Sequence, residues 1–431
     1  MNCVIFEPDV TGHRLQHVRH LADALLEIGC RVTIALQVDC RRHTEFEVHL
    51  RPLVPHVRLH AVLGSRQSAS LVARRRRVAE LTETIASLRP EWVYVPYADG
   101  MTQAAVLEEL LHGRRFLQRV PIEAQIMRGK YGYPQQSSLD ALNSAVNRWL
   151  TRRSPWRVTH VLDPFAREGL EPLARGDAFR LIPEPVEPLP AVDRQTARRV
   201  LGVPPEGRYL AFVGGAHPRK GIDLLLAAFS RAKISHDDRL LFVGKMTRPI
   251  HDLVHQEYDG LLRQNRLVIV DRYVSDYELD CGFLAADIVA VAHPRQIGSS
   301  GTLVRAAAAE RPVLAADFGW IAWATTAFRL GATVNVSDTD RYAEAIEQAF
   351  ASSDAYQRST AGQRFCDYHT VANQKAHWVD EIGRSRGIPL GPLATRIGWD
   401  WVLEAASGPQ LRWAGEARQA SQFLDSLSLD K

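Results

Sequence analysis

Three loops bring glycines together with cations, hydroxyls or an imidazole in patterns that suit a phosphate group. The first runs Val213-Gly214-Gly215-Ala216-His217-Pro218-Arg219-Lys220-Gly221 and leads into a helical pattern. Its glycines let the backbone approach a ligand closely. Arg219 and Lys220 bring two positive charges to a helix start, where the dipole already favours anions. An ordinary strand-to-helix loop with exposed basic side chains reads the same way. The second loop is Ile297-Gly298-Ser299-Ser300-Gly301-Thr302. Small residues, hydroxyls and backbone N–H groups at a helix start make an anion nest, and a glycine turn capped by Ser300 or Thr302 is the alternative. The third, Thr11-Gly12-His13-Arg14, is a glycine turn in which His13 either meets a ligand or caps the next helix. Together the three predict a diphosphate held between two domains.

Proton transfer needs a carboxylate or an imidazole within hydrogen-bond reach. Asp99, in Val95-Pro96-Tyr97-Ala98-Asp99-Gly100, is the best-placed carboxylate after a strand, and His13 is the second candidate. A turn residue before Gly100 is the competing reading of Asp99. Asp338-Thr339-Asp340 has the spacing of a metal-binding D-x-D, but it precedes a helical pattern and reads better as a cap. The 16 histidines show no H-E-x-x-H spacing. The five cysteines form no C-x-x-C pair, which argues against a zinc knuckle and for a reducing compartment. No metal and no cofactor are expected.

These residues sit in an alternating pattern. Short apolar strands are expected at Cys3–Phe6, Arg31–Leu36, Trp92–Val95, Ile122–Met127, Thr159–Leu162 and Phe179–Ile182. Pro183, Pro185, Pro188 and Pro190 then interrupt regular structure and read as a linker. The second series is Tyr209–Val213, Leu240–Val243, Leu267–Val270, Ile288–Ala292, Val313–Ala315 and Thr333–Val336. Strands alternating with helices imply parallel sheets, so the fold class is α/β with two doubly wound, Rossmann-like domains. The domains are expected at 1–187 and 188–367, with a helical extension over 368–431. A helix is expected at Tyr368–Ile382. Trp399, Trp401, Leu403, Leu411 and Trp413 are too many large apolar groups for a free tail, so it should pack back onto the body.

The 431 residues are 46% apolar and 24% charged, a globular profile. No apolar run reaches 18 residues and no signal peptide is visible, which gives a cytoplasmic expectation. Residues 1–190 carry 25 Lys and Arg against 21 Asp and Glu, whereas the remainder balances. Within that basic half lie Arg74-Arg75-Arg76-Arg77 and a group of Trp149, Arg152, Arg153, Trp156 and Arg157. Such residues suit peripheral contact with an anionic membrane face, and solvated helix faces explain them equally. No nucleic-acid reading motif accompanies them.

The stretch from about 182 to 352 resembles the donor-binding domain of family 4 glycosyltransferases, which have the two-domain GT-B fold. The resemblance rests on Ile182-Pro183-Glu184-Pro185-Val186, on Val213 to Phe229 with its Lys220-Gly221 pair, and on Tyr273 to Leu279. It continues through Ala285-Ala286-Asp287-Ile288 and Gly301 to Val313. The first domain matches more loosely through Gly12, the helix after it and Gly29–Leu36, and the resemblance covers most of residues 1–385.

The resemblance implies transfer of a sugar from a nucleotide-diphosphate sugar, UDP- or GDP-linked first, to an acceptor hydroxyl with retention and without metal. The acceptor would be a glycan, a lipid-linked sugar or a small molecule. Lys220, Arg219, Tyr273 and residues Gly298 to Thr302 would hold the donor. The chain departs from the family pattern where Ile297 and Arg305 stand in place of two glutamates. It departs again where Gly215 replaces an arginine and where Met127-Arg128-Gly129 stands in place of a histidine. A nucleotide-sugar epimerase and a non-catalytic sugar-nucleotide-binding subunit are the competing functions.

Overall fold

The computed structural model describes residues 1–10, 14–63, 70–113, 117, 120–129, 133, 137–170, 178–387 and 396–407. Gly12, His13, Leu411 and Trp413 lie outside them. The described residues form two parallel sheets, each the core of one unit. One unit holds residues 1–183 and 371–396, and the other holds 184–370 and the segment from Ile397. The division thus falls at Pro183, four residues before the expected boundary, and the C-terminal segment is shared out between the units.

The first sheet contains β1 (Asn2–Phe6), β2 (Arg31–Gln37), β3 (Arg58–Val62), β4 (Trp92–Val95), β5 (Ile122–Ile126), β6 (Val158–Val161) and β7 (Phe179–Leu181). Its order is β3-β2-β1-β4-β5-β6-β7. Strand β3 is absent from the sequence expectation because Arg58-Leu59-His60-Ala61-Val62 is no continuous apolar run. As an edge strand it is half wetted and does not need one. Helices Arg14–Glu27 and Val371–Arg386 pack together, and Trp378, Val379 and Ile382 share a core with Leu15, Leu21 and Leu25.

The returning helix is also tied to the sheet by polar groups. Trp378 Nε1 donates to Tyr94 Oη at 3.0 Å, and Tyr94 Oη meets His160 Nδ1 at 2.9 Å. Trp92 Nε1 donates to Glu123 at 2.9 Å. Burial holds His160 down to about 3, a neutral imidazole, and lifts Glu123 to about 7.

The second sheet contains β8 (Arg208–Val213), β9 (Asp238–Val243), β10 (Leu267–Val270), β11 (Ile288–Val291), β12 (Val313–Ala316) and β13 (Gly331–Val334), in the order β10-β9-β8-β11-β12-β13. Strand β13 begins two residues before its expected start. The apolar Val336 that drew the expectation later is buried in the core from beyond the strand end.

The helix expected over Tyr368–Ile382 is two helices, Thr360–Tyr368 and Val371–Arg386. The break is at His369–Thr370, where Thr370 bridges Val186 and His369 Nδ1 meets the Glu184 carbonyl at 3.0 Å. Trp399 packs among Phe328, Tyr368 and Trp323, and Arg364 covers Trp401 at 4.6 Å. The described part of the tail therefore packs back, as its aromatic content requires. No helix among the described residues is long and apolar enough to cross a membrane.

Candidate functional site

In an open parallel sheet, ligands sit beyond the carboxyl ends of the strands where the strand order reverses. In the second sheet that point lies between β8 and β11. The loops that leave these two strands are the two glycine-bearing loops of the sequence.

The β8 loop is shaped by left-handed backbone. Gly214 has φ +111° and Gly221 has φ +69°. A Cβ on Gly221 would overlap the carbonyl oxygen of Ala292, just beyond β11, so only glycine lets the two loops close up. Between them Pro218–Lys220 forms a tight turn, and His217 Nδ1 accepts from the Arg219 amide at 3.2 Å. The turn directs Lys220 back over the sheet. Its ammonium lies 5.7 Å from the Phe212 ring centre and 3.4 Å from where a Cβ on Gly214 would stand. Burial, helped by Arg219, pulls Lys220 down to about 8. No carboxylate among the described residues pairs with it.

His293 follows β11 and is buried, and its Nδ1 has no partner. Burial first, then Lys220 and Arg219, lowers it to about 3, so it is a neutral imidazole. Sequence reasoning passed over His293. The available signal was its position directly after a switch-point strand.

The β11 loop continues to Gly298, at φ +94°, where the Gln296 side chain donates to the Ser299 carbonyl at 2.7 Å. Ser300 caps the helix Gly301–Ala308 by accepting from the Leu303 amide at 3.3 Å. The Ser299 hydroxyl donates to the half-buried Glu184, whose carboxyl desolvation pushes upward. Both hydroxyls are thus engaged within the protein. The groups the loop can still offer an anion include the Ser300 O–H, which only accepts in the cap, the Thr302 hydroxyl and the backbone amides around Gly301 and Thr302. Arg305, on the same helix, pairs with Asp280 at 2.7 Å, and burial lifts Asp280 to about 6. Tyr273 is exposed on the segment after β10, ahead of a capping box made by Ser275 and Glu278.

In the first unit the strand order reverses between β1 and β4. Glu7 leaves β1 fully buried. Arg14 donates to it at 2.9 Å and reaches toward Asp9 at 3.6 Å, and the guanidinium covers the Tyr97 ring at 4.3 Å. Burial lifts Glu7 to about 7, and its Oε2 has no hydrogen-bond partner. Glu7 is a second residue that the sequence reading missed.

Asp99 follows β4, where it accepts from the Met127 amide at 3.0 Å and the Arg128 amide at 2.8 Å. Each carboxylate oxygen thus holds one amide of the loop after β5, a positioning duty. Asp99→Asn would set an NH2 group against one of those amides. The expected result is a stability loss of about 1–2 kcal/mol with turnover per folded molecule retained. Unchanged melting with a steep fall in turnover would instead make Asp99 a base.

Asp338 caps the helix Thr339–Ser352 through the Arg341 amide at 3.1 Å, and Asp340 pairs with Arg231 at 2.8 Å. No cluster of metal-binding side chains occurs among the described residues.

Residues 207–352 match the family model described as glycosyl transferases group 1. The match covers less than half of the chain, so it describes what this segment is similar to. Curated relatives point the same way. The D-inositol 3-phosphate glycosyltransferase of Mycolicibacterium gilvum is 32% identical over 196 residues, 44% of this chain and 41% of that protein. The Corynebacterium aurimucosum protein of the same name is 32% identical over 192 residues, 42% of this chain and 43% of that one. The matches thus span less than half the length of these relatives.

Among solved structures, Anabaena HepE in complex with UDP superposes with a TM-score of 0.66 at 16% identity, over 89% of this chain and all of that one. The sucrose-phosphate synthase of Thermosynechococcus elongatus has a TM-score of 0.66 at 16% identity, covering 90% and 99%. The fold is therefore GT-B, with β8 to β13 forming the sheet of the segment that matches the group 1 model.

Proposed function

We propose that the protein transfers a glycosyl group from a nucleoside-diphosphate sugar to an acceptor hydroxyl. The observation that carries this reading is Lys220. It is a partly buried cation at a sheet switch point, without a carboxylate partner among the described residues, beside a neutral imidazole and a second cation. Such a charge is unfavourable until an anion arrives. The complexes of HepE with UDP and with UDP-glucose favour a UDP-linked donor.

Glycosyl transfer builds positive character on the anomeric carbon and negative charge on the departing diphosphate. Lys220, Arg219 and the amides of Gly301 and Thr302 would stabilise that charge without reorganising. His293, as a neutral imidazole, would donate or accept a hydrogen bond without adding charge. With retention, the departing phosphate takes the acceptor proton and no protein base is needed.

The test offers UDP-, GDP-, ADP- and dTDP-sugars with acceptor hydroxyl compounds and measures released nucleoside diphosphate in excess EDTA. Turnover should continue, because the cations around the site supply the charge that a divalent ion would, and such an ion would meet Arg219 and Lys220 at short range. Complete loss in EDTA, restored by one divalent ion, would overturn this electrostatic account. Conversion of donor alone into an isomeric nucleotide sugar would make the protein an epimerase.

A further inference from the structure

The helix Ser138–Arg152 is built inside out. Its exposed side chains include Leu139, Leu142, Val146 and Trp149, at 79%, 53%, 42% and 39% exposure. Their spacing of three and four places them on one stripe. The side that faces the protein is polar. Ser144 and Thr151 are buried, and Asn147 accepts from the Gln103 side chain of the helix Thr102–His112 at 3.1 Å. The hydrophobic effect would place these faces the other way round if the unit alone decided. More than a third of each of these four side chains stays open to solvent.

The pattern extends across neighbouring helices. Leu71–Leu88 packs on Thr102–His112, which packs on Ser138–Arg152. The first exposes Leu71 and Val72, and the second exposes Leu110 and Leu111. Eight of the fourteen strongly exposed large apolar side chains among the described residues therefore lie on this row of three helices. The stripe is flanked by cations. Between 138 and 153 there are three arginines, Arg148, Arg152 and Arg153, and one acid, Asp140. The exposed Arg153 guanidinium stands 4.0 Å from the Trp149 ring centre. Arg75 and Arg76 expose about half of their side chains even though Glu108 and Glu80 pair with them.

We propose that this face docks on an anionic lipid bilayer, with the Leu139–Trp149 stripe seated at headgroup depth and the arginines on lipid phosphates. A fifteen-residue helix is about 22 Å long, too short to span, so it lies in the plane of the surface. Tryptophan beside arginine matches the layered chemistry of that interface. A second copy of the chain is the other occupant that an apolar stripe could take, and the experiment separates the two.

The experiment is sedimentation with phosphatidylcholine vesicles, with and without about 40 mol% phosphatidylglycerol, at about 0.1 M and about 0.5 M salt. Binding is expected to the anionic vesicles alone and to weaken in the higher salt. Leu142→Glu combined with Val146→Glu should reduce it at least tenfold while melting stays as in the wild type, since both positions are exposed. Arg153→Glu should reduce it about fivefold or more. Absence of binding to anionic vesicles, or equal binding by the double variant, would overturn the proposal. A lipid-free dimer that the double variant splits, with vesicle binding untouched, would assign the face to a second copy. Sedimentation makes no use of donor turnover, so its failure and the failure of the glycosyltransferase reading are separately visible.

Discussion

Lys220→Ala should lower donor-dependent turnover by about 100- to 1,000-fold, the range for removing one preorganised group that stabilises developing charge. The variant should nevertheless melt higher than the wild type at pH 7. Burial lowers Lys220 from the ordinary lysine value of 10.5 to about 8, so the folded state holds fewer protons than the unfolded chain between those values. The destabilisation is fully present below pH 8 and disappears as pH rises toward 10.5. Removing the ammonium should therefore relieve about 1–3 kcal/mol at neutral pH, allowing for partial contact with water.

The same titration governs ligand binding. Nucleoside-diphosphate affinity, read by the ligand-induced rise in melting temperature, should fall as pH passes above about 8 in the wild type and lose that dependence in Lys220→Ala. Wild-type turnover in the variant, or an unchanged pH profile, would remove Lys220 from the site.

The opposed effects on stability and activity follow from where the residue is placed, and much of that placement could be read in the chain itself. Strands β8, β9 and β11 are apolar runs with loops of unusual composition behind them, so both the sheet and its two glycine-bearing loops were visible. Three things were not. The edge strand β3 lacks an apolar run because solvent covers one side of it. His293 gains its meaning from the reversal of strand order between β8 and β11, which local periodicity does not encode. The Ser299 hydroxyl looked available for phosphate, but Glu184, 115 residues away, already engages it. Long-range partners of this kind are set by packing and leave no spacing signal. The exposed stripe of Ser138–Arg152 shows the converse limit: its amphipathic period is plain in the sequence, but which face turns outward depends on the neighbouring helices.

Asp287→Ala should produce the largest loss of stability among single substitutions around the candidate donor site. Asp287 stands at the start of β11 and joins that strand to β8 from below the switch point. Its Oδ2 accepts from the Tyr209 amide at 2.7 Å and from Arg198 at 2.8 Å, and its Oδ1 pairs with Arg194 at 2.6 Å. Arg198 is itself buried and also donates to the carbonyl oxygens of Ala285 at 3.1 Å and Gly207 at 3.0 Å. Removing the carboxylate leaves a buried guanidinium without its counter-charge, a change that costs about 3–5 kcal/mol. For a unit of this size the melting temperature should drop on the order of 10 °C. Asp287→Leu combined with Arg198→Met should recover much of that loss, because replacing both partners by apolar groups removes the unpaired charge as well as the pair. The two glycine-bearing loops should register the same damage: β8 and β11 would no longer be pinned together at their starts, so, on the proposed function, nucleotide affinity should weaken in Asp287→Ala and return in the double variant. A single variant as stable as the wild type, or a double variant no better than the single, would show that the pair does not hold the two strands in place.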